Sequence, residues 1–305
     1  MSGAVHGPAE AISIGPREVL GLAVPAFVAL VAEPLFLLVD SAVVGHLGTV
    51  PLAALGVASA VLLTAVNLFV FLAYGTTGSV ARQVGAGSTA GALAAGLAGV
   101  WLAAGIGAVV AGVLALGAPA FAGAFGASGA VTGVAGTYLR ISAMGVPAMF
   151  LVLAATGVLR GLQDTRTPMV VATVGFTGNA VLCVWFVRGL GWGVPGSAWA
   201  TVLAQWGMAI ALLVVVARRA AAAGAGLRPD LGAVVRAFGG GVPLLVRTVA
   251  LRAVLLLTVW VAARFGDVPL AAHQVTATIW STLTFALDAL AIAAQALVVG
   301  VIVTL

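Results

Sequence analysis

Glu33 and Asp40 stand in an otherwise apolar run from Val19 to His46, with Pro25 upstream and Pro34 beside the glutamate. Taking a carboxylate to the middle of a bilayer costs about 2.5–3.5 kcal/mol on insertion scales, so such a group faces the protein interior or a wet cavity and works there. The chemistry open to it is proton or cation exchange, or a structural hydrogen bond, and for Asp40 both readings stand. Seven residues are about two helical turns, which puts Glu33 and Asp40 on roughly one face. Glu33, next to Pro34, reads equally as a site group and as a residue of a water-filled vestibule. Each proline removes a backbone donor and crowds the preceding turn, so Pro25 and Pro34 are expected to act as hinges. Asp288, in a later apolar run, is either a second coupling or substrate group or the ion-pair partner of Arg247 or Arg252.

Other chemistries find no residues to carry them. No Ser-His-Asp arrangement, phosphate loop or HExxH pattern occurs, so neither an enzyme nor a bound cofactor is expected. His6, His46 and His273 lack metal-ligand spacing, and a lone Cys183 offers no disulfide within the chain. Thr64, Asn67, Gln205 and Gln295 are polar groups inside apolar runs, where hydrogen bonds between helices are the common reason and average about 0.6 kcal/mol. Gln295 is kept as a secondary site candidate. Gly91, Gly96, Gly99, Gly105 and Gly112 are expected to mark close helix packing. Asp164, with Arg160 and Arg166, is expected to cap a cytoplasmic turn.

The elements that must position these groups follow from composition. The 305 residues are 63% hydrophobic and only 7% charged, with mean hydropathy +1.24. A soluble domain carries about 25% charge, so the chain reads as an all-α polytopic membrane protein. Eight spanning helices are expected, at about 19–45, 53–81, 90–116, 134–160, 168–188, 194–217, 237–263 and 268–300, each near the roughly 20 residues needed to cross. All thirteen basic residues are arginines, spread thinly, which reads as topology and excludes a nucleic-acid surface. Eight fall on one side (Arg17, Arg82, Arg160, Arg166, Arg218, Arg219, Arg228 and Arg236) and two, Arg188 and Arg264, on the other, which predicts a cytoplasmic N-terminus. Arg140, Arg247 and Arg252 fall within or near the ends of predicted helices and need partners or a wet surface. Met1 to Pro16 shows no signal-peptide pattern, so the first apolar run is expected to span.

An internal repeat organises the whole. At a shift of 218 residues, Val24-Pro25 falls on Val242-Pro243, and Val50-Pro51-Leu52-Ala53-Ala54 on Val268-Pro269-Leu270-Ala271-Ala272, with 16 identities in the 37 positions from Gly21 to Val57. Six helices and the charged loop separate the copies, so both have the same orientation, as in parallel-repeat transporters. The expected organisation is a first lobe over 1–218 with six helices, an inter-lobe cytoplasmic loop over 219–236, and a partial second lobe over 237–305 with two. On this reading the chain is a fragment or truncated product of a twelve-helix protein.

Four stretches then carry a family resemblance: Pro25 through Asp40-Ser41-Ala42-Val43-Val44-Gly45-His46-Leu47-Gly48; Gly75-Thr76-Thr77-Gly78-Ser79-Val80-Ala81-Arg82-Gln83-Val84-Gly85-Ala86-Gly87; Tyr138-Leu139-Arg140-Ile141 through Pro147 to Arg160-Gly161-Leu162-Gln163-Asp164-Thr165-Arg166-Thr167-Pro168; and Ala271-Ala272-His273-Gln274-Val275 with Leu287-Asp288-Ala289-Leu290 and Ala293-Ala294-Gln295-Ala296-Leu297. Together they resemble the multidrug and toxic compound extrusion (MATE) transporters, in the branch of the DNA-damage-inducible protein F. The resemblance implies an ion-coupling site in the first lobe made of Asp40, Tyr138, Asn179 and Thr201, around a cavity where a proton or sodium ion is exchanged for drug. One position departs: a second acidic residue is frequent four places after the asparagine, and here that place is Cys183. Asn179 and Cys183 still share a helix face, but a thiol is a poor ligand for sodium. With one carboxylate left, proton exchange at Asp40 is expected over sodium. The implied activity is secondary export of amphipathic, often cationic drug-like compounds across the cytoplasmic membrane of a prokaryote, by a monomer that binds no nucleic acid. The alternatives are a lipid-linked sugar flippase of the same superfamily, for which only Arg140 lies inside a first-lobe helix, and a truncated protein or assembly partner that transports nothing.

Overall fold

The computed structural model describes residues 39–125, 128–228 and 230–264, together with positions 280, 283, 284, 287, 288 and 291. Among these residues there is no strand. The end of a first helix, α1 (39–45), leads through a short turn to α2 (Thr49–Leu68), α3 (Phe71–Gly85), α4 (Thr89–Gly123), α5 (Gly129–Ala143), α6 (Val146–Gly161), α7 (Arg166–Val184), α8 (Gly193–Ala222) and α9 (Leu231–Arg264). Five stretches are long and apolar enough to cross a membrane, or six if α5 and α6 count as one bent span, and the chain is a multi-pass membrane protein.

Where the structure departs from the expected spans, a local cause is visible. The second span is longer than the expected 53–81, running over Thr49–Gly85, and it is interrupted at Phe69 and Val70, where the amides of Phe69 and Val70 bond three residues back to Val66 and Asn67. The fourth, expected as one helix over 134–160, is two helices bent by 48°. Pro147 has no amide to donate, the Met144 and Gly145 amides tighten onto Ile141 and Ser142, and Trp206 Nε1 on α8 donates to the Met144 carbonyl at 3.0 Å. The kink thus lies at a proline with its open carbonyl satisfied from a neighbouring helix. The fifth ends in a π turn over Trp185–Gly189, closed by Leu190 N on the Trp185 carbonyl. Gly191 and Gly193, at φ 68° and 61°, make the reversal into α8. The charged loop expected over 219–236 is shorter, because α8 continues to Ala222 and α9 starts at Leu231.

Three apolar centres hold the helices: two large ones and a small third that joins α1, α7 and α8 through Val43, Cys183 and Ala200. The largest joins α3, α4, α6 and α8 through Leu72, Val80, Leu93, Phe150, Val158 and Leu212, all buried. The second joins α1, α2, α5 and α8 through Val44, Leu55, Ala58, Tyr138, Leu139 and Ala198. Small residues set the closest approaches, since packing in a bilayer rests on van der Waals contact and not on the expulsion of water. Gly157 and Gly161 on α6 lie against α3, where a Cβ on Gly157 would come 2.5 Å from the Ala73 carbonyl oxygen. Of the five glycines expected to mark close helix packing, Gly96 and Gly99 do so, against Val158 of α6 and Thr76 of α3; Gly91 lies against Ser88, the cap of its own helix, and Gly105 and Gly112 face open space.

The turn around Asp164 is built differently from expectation. Asp164 does cap α7, accepting from the amide and hydroxyl of Thr167 at 3.0 and 2.7 Å. Its ionic partner is Arg219 at the end of α8, at 2.5 Å, and not Arg160 or Arg166. That bond brings the α6–α7 turn and the end of α8 to one side of the molecule. Burial pushes the Asp164 carboxyl up, but the two Thr167 bonds and the Arg219 guanidinium outweigh it and hold it below the ordinary aspartate value.

Candidate functional site

Asp40 is carried on α1, and only 3% of its surface is exposed. Two neutral donors from two other helices converge on its Oδ1: Ser197 Oγ of α8 at 2.5 Å and Cys183 Sγ of α7 at 3.1 Å. One turn beyond Ser197 on the same face of α8, Thr201 donates to the Ser197 carbonyl at 3.1 Å and accepts from Asn179 Nδ2 of α7 at 3.4 Å. Tyr138 of α5 is buried beside them, packed with Val44 of α1 and Ala198 of α8. Four helices thus meet at one carboxylate. Two buried oxygens at this place, Asn179 Oδ1 and Ser142 Oγ one turn from Tyr138, have no hydrogen-bond partner.

All four residues expected at the coupling site, Asp40, Tyr138, Asn179 and Thr201, belong to this cluster. Cys183, kept as secondary, touches the carboxylate directly. Ser197 was not singled out from the sequence; its spacing of four from Thr201 on α8 was the available signal. The direct partners of Asp40 are therefore Ser197 and Cys183. No ion pair reaches Asp40 among the described residues, so its charge, when present, is met by hydrogen bonds alone.

The remaining candidates separate from the cluster. Glu33, Pro25, Pro34, Gln295, His6 and His273 lie outside the described residues. Asp288 is partly exposed and makes no ion pair with Arg247; the Arg252 side chain lies outside the described residues. Arg140 is exposed on α5 and has no ion pair among the described residues. Thr64 and Asn67, expected to bond between helices, bond back to the Ala60 and Leu63 carbonyls of their own helix at 2.7 and 2.8 Å. His46 Nδ1 lies 2.5 Å from the Ala42 carbonyl at the end of α1, and the described residues hold no group of three His, Cys, Asp or Glu placed for a metal.

Comparison with known proteins supplies the context for this geometry. The MatE family model matches residues 25–185. The chain is 33% identical over 306 residues to Protein DETOXIFICATION 44, chloroplastic, of Arabidopsis thaliana, covering 96% of this chain and 58% of that protein. It is 32% identical over 290 residues to the DNA damage-inducible protein F of Escherichia coli K12, covering 90% of this chain and 61% of that protein. The chain therefore spans about three fifths of the length of these relatives. Among solved structures, the Vibrio cholerae MATE transporter VcmN in the bent form superposes with a TM-score of 0.81 at 22% identity, covering 93% of this chain and 65% of the other.

Proposed function

The chain belongs to the MatE family, and from that premise we propose that it forms the first lobe, and the start of the second, of a secondary exporter that couples the outward movement of amphipathic, often cationic compounds to proton entry at Asp40. The observation that carries this reading is a carboxylate 97% removed from the surface, bonded by Ser197 and Cys183, with no cationic partner among the described residues. A charge so placed is costly unless a proton or cation compensates it. While Asp40 is ionised, it draws the Ser197 and Cys183 donors and ties α1 to α7 and α8. Protonation weakens both bonds, because a neutral carboxyl accepts less strongly than a carboxylate. The first helix is then released to bend near Pro25 or Pro34, and the lobes, divided at about 218, rock around the site. The arginine bias supports a cytoplasmic N-terminus in a prokaryotic cell. No catalytic step and no resident cofactor enter this scheme.

The unpartnered Asn179 Oδ1 favours a second coupling ion, since a buried carbonyl oxygen beside a carboxylate is a hard ligand suited to sodium. The two are separated in proteoliposomes. Efflux driven by an imposed pH gradient in sodium-free medium is expected for proton coupling, and efflux that starts only when sodium is added would assign sodium. Asp40→Asn is expected to abolish export at unchanged membrane expression under either ion. Wild-type export by that variant would remove Asp40 from the mechanism.

A further inference from the structure

On the other side of the bundle, sharing no residue with the Asp40 cluster, α3, α4 and α9 enclose a cavity of about 560 Å³. Its lining is sorted by depth. Arg82 near the end of α3, Arg228 in the α8–α9 connection and Arg236 in the first turns of α9 ring one end, with Asp230 the one carboxylate among them. Phe71 on α3, Leu102 on α4 and Leu244 on α9 line the other. From Arg82 to Phe71 is eleven residues of helix, and from Arg236 to Leu244 is eight, so the cavity runs roughly 12–16 Å from its basic end to its apolar end at 1.5 Å per residue.

The basic end has donors to spare. Arg82 Nη2 reaches Ser79 Oγ at 3.2 Å, and Arg236 stands 3.8 Å from Asp230 in a pair exposed on both sides, a geometry that contributes little. Arg228 has no ion pair among the described residues. It is held over the cavity because Trp101 Nε1 of α4 donates to the carbonyl of the preceding Leu227 at 3.2 Å. The wall between α3 and α9 is close, since a Cβ on Gly241 would meet the Phe71 ring. Three guanidiniums and one carboxylate at the helix-end level, above a mixed stretch with Thr76 and Ser79 that gives way to Phe71, Leu102 and Leu244, form a site for an anion with a hydrocarbon tail. A guanidinium fork matches phosphate oxygens in pairs, and basic pockets between spanning helices hold anionic headgroups in this way.

We propose that this cavity binds one anionic phospholipid, its phosphate among Arg82, Arg228 and Arg236 and its upper acyl chain against Phe71, Leu102 and Leu244. The bound lipid would seat α9, the first helix after the inter-lobe connection, on α3 and α4. Native mass spectrometry of the purified 305-residue chain, released from nanodiscs of phosphatidylcholine with a minor share of phosphatidylglycerol, reads the preference directly. Phosphatidylglycerol is expected to be retained at least fivefold over phosphatidylcholine, with about a fivefold loss of preference for each of R82Q and R228Q, the equivalent of ~1 kcal/mol per arginine. R82K and R228K should restore much of it, and R140Q, at an exposed position of α5, should leave it unchanged. Equal retention of the two lipids by the wild type, which needs no variant to fold, would overturn the proposal, as would an equal loss in R140Q. Thermal stabilisation by inorganic phosphate as large as that by phosphatidylglycerol would overturn the lipid and leave a soluble phosphate as the ligand.

Discussion

Ser197 Oγ meets Asp40 at 2.5 Å while the thiol of Cys183 reaches the same oxygen at 3.1 Å, and an S–H is the weaker donor. The serine is thus the principal support of the ionised site. Its loss in Ser197→Ala is expected to weaken the charged state by about 2 kcal/mol, the worth of a hydrogen bond to a charged group, and to change proton-driven efflux in proteoliposomes by up to about thirtyfold at fixed pH. Cys183→Ser, which keeps a donor, should stay within a few-fold of wild type; a larger effect there than at Ser197 would reverse the ranking. Asp164, which caps α7 at the end opposite Cys183, offers a stability test outside the membrane core. Its carboxyl is held below the ordinary value, so the unfolded chain binds its proton first as pH falls, and the group contributes stability above about pH 4 that is lost as pH falls through the folded value. Asp164→Asn, which keeps a capping oxygen but loses the charge, should therefore lower Tm at pH 7 by the equivalent of about 1 kcal/mol for the partly buried pair with Arg219, and the gap to wild type should close in acid. A gap that persists unchanged at pH 3 would mean that the charge is not its source. At this scale, Asp40 was legible because a carboxylate in an apolar run is costly. Ser197 was not, because a serine among Gly and Ala on a spanning helix is ordinarily a packing residue, and nothing local marks the one that meets a charge 157 positions away.

Hydropathy located six spans within the described residues because each presents some 20 apolar residues between breakers, yet it was blind to the breaks inside them. The Phe69–Val70 interruption and the 48° bend at Met144–Gly145 leave the apolar run unbroken, and only Pro147 marked the second. The same blindness applies to glycine. Gly157 and Gly105 look alike in sequence, but one abuts the Ala73 backbone and the other faces open space. Gly157→Ala forces backbone to shift and is expected to cost about 1–3 kcal/mol, as overpacking does. Gly105→Ala relieves a flexible helical position and should be neutral or gain up to roughly 1 kcal/mol. Melting curves of the two variants in one detergent check this, and equal shifts would mean that α3 and α6 do not approach at Gly157.

For the whole molecule, the helix order sets which turns share a side, and the arginine asymmetry predicts which of the two sides is cytoplasmic. Asp164 and Arg219 join the α6–α7 turn to the end of α8, Trp101 holds the α8–α9 connection through Leu227, and the cavity gathers Arg82, Arg228 and Arg236 at one level. The Trp185–Gly189 π turn, with Arg188 and exposed Trp192, lies at the opposite end of α7 from Arg166, as alternation of spans requires. The 218-residue repeat that predicts the lobes spans residues beyond the described ones, so sidedness is the property of the whole that the described helices themselves can test. Cys183 is fully buried and is the one cysteine of the chain, which leaves a silent background for single introduced thiols. Ala86→Cys, in the α3–α4 turn, and Leu227→Cys should react with an impermeant maleimide in inside-out vesicles only, because basic turns are retained in the cytoplasm. Leu190→Cys, in the α7–α8 turn, should react only in right-side-out vesicles. Labelling of Ala86→Cys and Leu190→Cys from the same face would break the alternation of α4 to α7, whereas a clean exchange of the two faces would keep the fold and invert the protein in its membrane.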